Sequence, residues 1–294
     1  MGTRRTLSSF CRTSIKNTPH RFSLIAGPCS IESYEGFRKV AVEVKNAGAT
    51  ALRGGIFKMR THAHAFQGLG PEAIEIAKKV KSEVNLPFIS EITDPRQVGI
   101  LNEVVDIFQV GARNMHNYEL LKELGHLRKP VLLKRGIAAY LDEFLAASEY
   151  LVRAGNQQII LCERGIRTFE HSTRNTLDLS AVPYLQKRSG FPVIVDPSHG
   201  TGMRELVLPM CWAAAAAGAD GIMVEVHPAP EEALSDGPQA LTIDDFKNLV
   251  PRLSRVLEAV EGPILDTVGF PIEGPKEKSG DILDTERKVP QWMN

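Results

Sequence analysis

Short apolar runs alternate with longer amphipathic segments through most of the chain. Runs rich in Val and Ile occur at 23–29, 50–54, 87–91, 107–112, 130–135, 158–163, 192–196 and 221–226. Brief, continuously apolar runs of this kind predict parallel strands buried on both faces. Between them the spacing changes to the helical period. Phe37, Val40, Ala41, Val44 and Ala47 share one helical face, as do Ala73, Ala77, Val80 and Val84. Phe144, Leu145, Ser148, Leu151 and Val152 repeat the pattern, followed by Phe246, Leu249, Val250, Leu253 and Leu257. Gly48, Gly155, Gly190 and Gly218 stand where helices should stop. Eight strands alternating with helices over 23–260 predict an α/β fold, a (β/α)8 TIM barrel in one domain. A doubly wound open sheet is the competing arrangement.

The expected organisation is a flexible extension over 1–20, a barrel over 21–261 and an irregular extension over 262–294. The first segment carries Arg4, Arg5, Arg12 and Lys16 and no acid. It is weakly similar to a transit peptide, and Met1-Gly2 with Thr6 fits the loose myristoylation pattern. A plain flexible terminus is the simpler reading.

Composition narrows the function. Of the 294 residues 43% are hydrophobic and 24% charged, as in globular enzymes. Lys+Arg and Asp+Glu are both 35, so net charge is zero, which argues against a general nucleic-acid binder. No apolar run approaches the ~20 residues of a spanning helix, so no membrane partner is expected. Cys11, Cys29, Cys162 and Cys211 form no CxxC pair, which fits a reducing, cytoplasmic setting.

In a barrel of this kind the active site lies at the C-terminal strand ends. Read in turn, those ends carry Cys29, Arg53, Glu91, Arg113, Lys134, Glu163 with Arg164, His199 and Glu225. Two chemical sets emerge. Cys29, His199, Glu225 and Asp236 supply a thiolate, an imidazole and two carboxylates, suited to a divalent transition metal. Each alone has a bland reading as a buried thiol, a bonded histidine, a paired acid or a turn cap. His62, His64, His116 and His227 are further candidate ligands. Arg53, Lys58, Arg60, Arg113, Lys134, Arg135, Arg164 and Arg167 form the second set, suited to phosphate and carboxylate groups. Arg135 and Arg167 are candidates for pairing with Glu163 or Asp196 instead.

Several stretches resemble 3-deoxy-D-arabino-heptulosonate-7-phosphate (DAHP) synthases of the type I beta group. They include Ala26-Gly27-Pro28-Cys29-Ser30, Leu52-Arg53-Gly54-Gly55, Phe57-Lys58-Met59-Arg60-Thr61 and Gly111-Ala112-Arg113-Asn114-Met115. The similarity continues through Leu133-Lys134-Arg135-Gly136, Cys162-Glu163-Arg164-Gly165, Asp196-Pro197-Ser198-His199, Val224-Glu225-Val226-His227-Pro228 and Ser235-Asp236-Gly237-Pro238. It covers about 21–260 in order.

The resemblance implies condensation of phosphoenolpyruvate with erythrose 4-phosphate at the head of the shikimate route. It implies metal ligation by Cys29, His199, Glu225 and Asp236, with Mn, Fe, Co or Zn as the ion. It places phosphoenolpyruvate on Arg53, Lys58, Arg113, Lys134 and Arg164 with the backbone of Gly111 and Ala112, and the aldose phosphate on Arg60 and Thr61. Glu91, Glu163 and Asp196 are further expected substrate contacts. Lys58 is the candidate general acid, acting with Cys29 and His199. A homodimer or homotetramer is expected by analogy.

Two departures bear on the aldehyde. Met59 stands where these enzymes usually have proline, and His62-Ala63-His64 follows just downstream. The related 3-deoxy-manno-octulosonate-8-phosphate (KDO8P) synthases, or a relative using another aldehyde, are the alternative enzymes. A non-catalytic barrel that binds phosphorylated metabolites is the alternative of another class. Only about twenty residues precede the barrel, so no attached regulatory domain and no feedback inhibition through one are expected.

Overall fold

Strict alternation within the apolar runs decides which side chains enter the barrel and which meet the helices. In the computed structural model, which describes residues 22–261, eight parallel strands close in sequence order. They are β1 (Ser23–Gly27), β2 (Ala51–Arg53), β3 (Phe88–Ile92), β4 (Ile107–Val110), β5 (Val131–Lys134), β6 (Ile159–Glu163), β7 (Val193–Val195) and β8 (Gly221–Glu225). The ring is sealed by β1 against β8, in register from Ser23↔Gly221 to Gly27↔Glu225. The barrel is therefore the architecture, and the open sheet is not. The expected runs 1–20 and 262–294 lie outside the described residues.

Two apolar layers result. Ile25, Ala51, Ile89, Ile107, Leu132, Ile160, Cys162, Ile194 and Met223 fill the interior of the barrel. The intervening positions, among them Leu24, Leu52, Phe88, Phe108, Leu133 and Val224, face the helices in a larger cluster. Full burial of each such side chain contributes about 1.5–3 kcal/mol.

The helices are α1 (Tyr34–Ala47), α2 (Pro71–Val84), α3 (Val98–Leu101), α4 (Tyr118–Gly125), α5 (Leu141–Arg153), α6 (Ala181–Ser189), α7 (Pro197–Thr201), α8 (Arg204–Ala216) and α9 (Ile243–Glu261). In α1, Ser33 accepts from the Gly36 N–H as N-cap, and Phe37, Val40, Ala41 and Val44 are buried as their spacing predicts. Gly48 ends it at φ 109, a left-handed conformation suited to glycine. The crossover after β3 is shorter than the pattern elsewhere: a 3-10 turn at Pro95–Gln97 leads into the one-turn α3. The extra turn α7 was not legible as a helix, because only five residues form it. Cys29, Cys162 and Cys211 are all free and buried.

Candidate active site

Two residues beyond the apolar layer, seven of the strands, β2 to β8, turn a polar side chain into the same space, and Cys29 follows Ile25 of β1 by four. The parity that points Ile89, Ile107, Leu132 and Ile194 inward also points Glu91, Gln109, Lys134 and Asp196 inward. By the same count Arg53, Arg164 and Glu225 follow Ala51, Cys162 and Met223. Arg135 and Glu163 fall on the other parity. They meet outside the barrel at 2.9 Å, with Asp178 3.1 Å from Arg135. Glu163 also accepts from the Gly165 N–H at 2.6 Å. Glu163, expected as a substrate contact, is thus placed on the helix side of the sheet, away from the cavity. Arg167 is exposed and does not line the cavity either.

Cys29, His199, Glu225 and Asp236 converge, with one ligand atom of each within 4.8 Å of the others. Cys29 Sγ donates to Asp236 Oδ2 at 3.1 Å and lies 3.9 Å from His199 Nε2. His199 Nε2 lies 3.2 Å from Glu225 Oε1, which also accepts from Arg53 at 2.8 Å. The turn α7 sets the imidazole: Asp196 caps it, accepting from the His199 N–H at 3.0 Å, and its Oδ2 is 2.8 Å from His199 Nδ1. Asp196, expected as a substrate contact, is fully buried and bonded to His199 and Lys134. Asp236 holds a left-handed conformation at φ 56 without being glycine, strain typical of functional positions.

The donor set fits a divalent ion. With Nδ1–H assigned to Asp196, His199 Nε2 is a lone pair facing a carboxylate oxygen. Two acceptors at 3.2 Å with no proton between them form an arrangement that a cation reconciles. Charge favours the same outcome. Burial lowers the basicity of His199 against the pull of Asp196 and Glu225. Burial opposes ionisation of Asp236 and Glu225. Even so, Lys58 holds Asp236 below the usual carboxylate range, and Arg53 helps to do the same for Glu225. Burial, with Glu225 next, pushes the Cys29 thiol up to about 12. Lys58 Nζ lies against Cys29 Sγ and 2.8 Å from Asp236 Oδ2, so a positive charge already sits beside these donors.

Above this cluster opens a cavity of about 290 Å³. Lys58, Arg60, Arg113, Lys134, Arg164 and Arg174 line it, with Thr61, Glu91, Gly111, Ala112, His199 and Asp236. Arg53, Cys29 and Glu225 form the layer beneath. Arg164 is buried, and its guanidinium donates to the carbonyls of Gly165 and His199. Among the described residues it has no ion-pair partner. Arg60 Nη1 is buried without a hydrogen-bond partner, 3.8 Å from Asp236 Oδ2. Arg113 donates to Thr61 Oγ1 at 3.2 Å. Gly111 lets the Glu91 carboxylate approach closely: a Cβ there would stand 2.1 Å from Glu91 Oε1 and would displace that side chain.

Met59 and His62 also line the cavity; His64, His116 and His227 do not. His227 instead faces Glu32 at 3.4 Å. Gln109 and Arg174 line the cavity without having been singled out. Gln109 is a polar interruption in an otherwise apolar strand, which is a usable signal. Arg174 sits deep in the long loop after β6, where only the folded chain shows its direction.

Known proteins share this arrangement of chain. The family model for the DAHP synthetase I family matches residues 11–261. A phospho-2-dehydro-3-deoxyheptonate aldolase of Thermotoga maritima is 47% identical over 239 residues, covering 81% of this chain and 71% of that protein. A 2-dehydro-3-deoxyphosphooctonate aldolase of Desulfatibacillum aliphaticivorans is 34% identical over 255 residues, covering 80% of this chain and 92% of that protein. The crystal structure of the Thermotoga maritima DAHP synthase matches with a TM-score of 0.79 at 47% identity, over 81% of this chain and 70% of that one. A closed (β/α)8 barrel, a four-donor cluster under a cationic cavity and a family match over most of its length together show that the chain belongs to the DAHP synthetase I family.

Proposed function

We propose that this chain condenses phosphoenolpyruvate with erythrose 4-phosphate and water, giving DAHP and inorganic phosphate. One observation carries the reading. Six cationic side chains line one cavity, and the buried guanidinium of Arg164 among them donates only to backbone carbonyls. An unpaired buried cation is costly unless an anion completes it. The 47% identity to a phospho-2-dehydro-3-deoxyheptonate aldolase supports the four-carbon aldose, against 34% to a phosphooctonate relative.

A divalent ion of the Mn, Fe, Co or Zn class, held by Cys29, His199, Glu225 and Asp236, would supply Lewis-acid polarisation of the aldehyde. The chain's own residues do the rest. Arg164, Arg113 and Lys134, with the backbone of Gly111 and Ala112, hold phosphoenolpyruvate. Arg60 and Thr61 hold the aldose phosphate. Positive charge on both sides offsets repulsion between two anionic reactants, so positioning is the main contribution. C3 of phosphoenolpyruvate attacks the aldehyde carbon and a C–C bond forms. Lys58 donates a proton to the aldehyde oxygen. Water adds at C2, and phosphate leaves by C–O cleavage. On the same reading the enzyme is cytoplasmic and assembles as a homodimer or homotetramer, which light scattering would read.

The test is phosphate release with phosphoenolpyruvate against erythrose 4-phosphate, arabinose 5-phosphate and other phosphorylated aldoses, with and without chelator. Erythrose 4-phosphate should be turned over fastest, and chelation should abolish release. Faster turnover of arabinose 5-phosphate would move the assignment to KDO8P synthesis, a reading that Met59 and His62 in the cavity wall keep specific. No turnover with any aldose overturns catalysis.

A further inference from the structure

The turn Gly237–Gln239 follows Asp236 directly and is strapped to β8, where the Leu241 N–H donates to the Glu225 carbonyl at 2.8 Å. Gln239 is buried, and its side-chain amide reaches in two directions. Nε2 donates to Glu225 Oε2 at 2.7 Å, and Oε1 accepts from Arg174 Nη1 at 2.9 Å. The same Nη1 lies 3.4 Å from Asp236 Oδ1.

A carboxylate only accepts, so Glu225 takes the NH2 end of Gln239, and a guanidinium only donates, so Arg174 takes the oxygen. The two contacts together hold the amide in one orientation and one place. Glu225 Oε1 is already engaged by Arg53 at 2.8 Å and faces His199 Nε2 at 3.2 Å. With Oε2 held by Gln239, both oxygens of that carboxylate are fixed.

We propose that Gln239, oriented by Arg174, is a positioning residue that sets Glu225, and that Arg174 adds a direct hold on Asp236. Two of the four donors are thereby tied to one loop residue on the cavity wall. The inference rests on the proposed function in one respect, that the four-donor cluster holds a divalent ion. Partners that orient metal-binding side chains typically carry 10–100-fold of affinity.

The test is titration of the full chain with Co(II), following the thiolate-to-cobalt absorption that Cys29 would give. Wild type should bind, and Cys29→Ser should lose the band. Gln239→Met keeps side-chain length and removes both hydrogen bonds; its cobalt affinity should fall roughly 10–100-fold. Arg174→Ala changes a half-exposed loop residue and gives an independent measurement if Gln239→Met does not fold. It should weaken binding about tenfold, and the double variant should be weaker than Gln239→Met by less than that tenfold, since one of the two Arg174 contacts acts through Gln239 and the other reaches Asp236 directly. A Gln239→Met protein with a wild-type melting curve and wild-type cobalt affinity overturns the inference, as does unchanged affinity in Arg174→Ala. Absence of cobalt binding by wild type overturns the metal site and this inference together.

Discussion

Asp196 Oδ2 lies 2.8 Å from His199 Nδ1, and Asp196 also caps the turn that carries the histidine. One buried carboxylate thus fixes both the backbone entry and the ring tautomer of a candidate metal ligand. Asp196→Asn keeps the size but can present an N–H where an acceptor is needed. Divalent-metal affinity should fall roughly 10–100-fold, as is typical for such partners. Equilibrium dialysis with Mn(II) or Co(II) measures it; wild-type affinity would show that the contact does not orient the ring.

Arg164 should separate binding from stability. Charged hydrogen bonds are each worth about 1.5–3 kcal/mol, or roughly ten- to hundredfold in affinity. Arg164→Gln should therefore raise the KM for phosphoenolpyruvate by at least tenfold. The melting temperature should hold or rise, because a buried charge with only carbonyl partners is removed. Steady-state kinetics beside calorimetry reads both. A large loss of stability with unchanged KM would make Arg164 structural.

Arg135 predicts the opposite pattern. Removing one partner of a buried ion pair costs about 3–5 kcal/mol. Arg135→Met leaves Glu163 uncompensated on the outer face of the sheet and should lower stability by that order. Arg135→Met with Glu163→Leu should recover much of the loss. The KM for phosphoenolpyruvate should stay near wild type in the double variant. A rise of tenfold or more would put Glu163 in contact with substrate after all.

Asp94 gives a pH dependence. Hydrogen bonds from the Arg96 side chain, and then from its backbone N–H, hold its carboxyl at about 2, below the ordinary 3.8. The folded value is the lower one, so its contribution is fully present above about pH 4 and is lost as pH falls toward 2. Asp94→Asn keeps the cap and removes the charge. The stability gap between wild type and this variant, from urea melts, should be constant at neutral pH and close between pH 4 and 2. A gap unchanged at pH 2 would show that the charge contributes nothing.

Much of the site was legible because strand ends are local features. Lys134 closes an apolar run, and Arg53 and Glu225 do likewise. Strand parity could have gone further. Counting in twos from Ile160 gives Cys162 and Arg164 inward and Glu163 outward, which the paired reading of Glu163 with Arg164 passed over. Arg174 was beyond reach, since nothing local says where a residue in an irregular loop points.

The sequence by itself determined the order of strands and helices, the face each helix buries and the residue types waiting at each strand end. All of these follow from periodicity over a few turns of chain. Only the tertiary structure decided which of them meet. Cys29 and Asp236 are 207 positions apart and lie within hydrogen-bonding distance because β8 closes on β1. Closure is a property of the whole ring, and no local window of residues contains it.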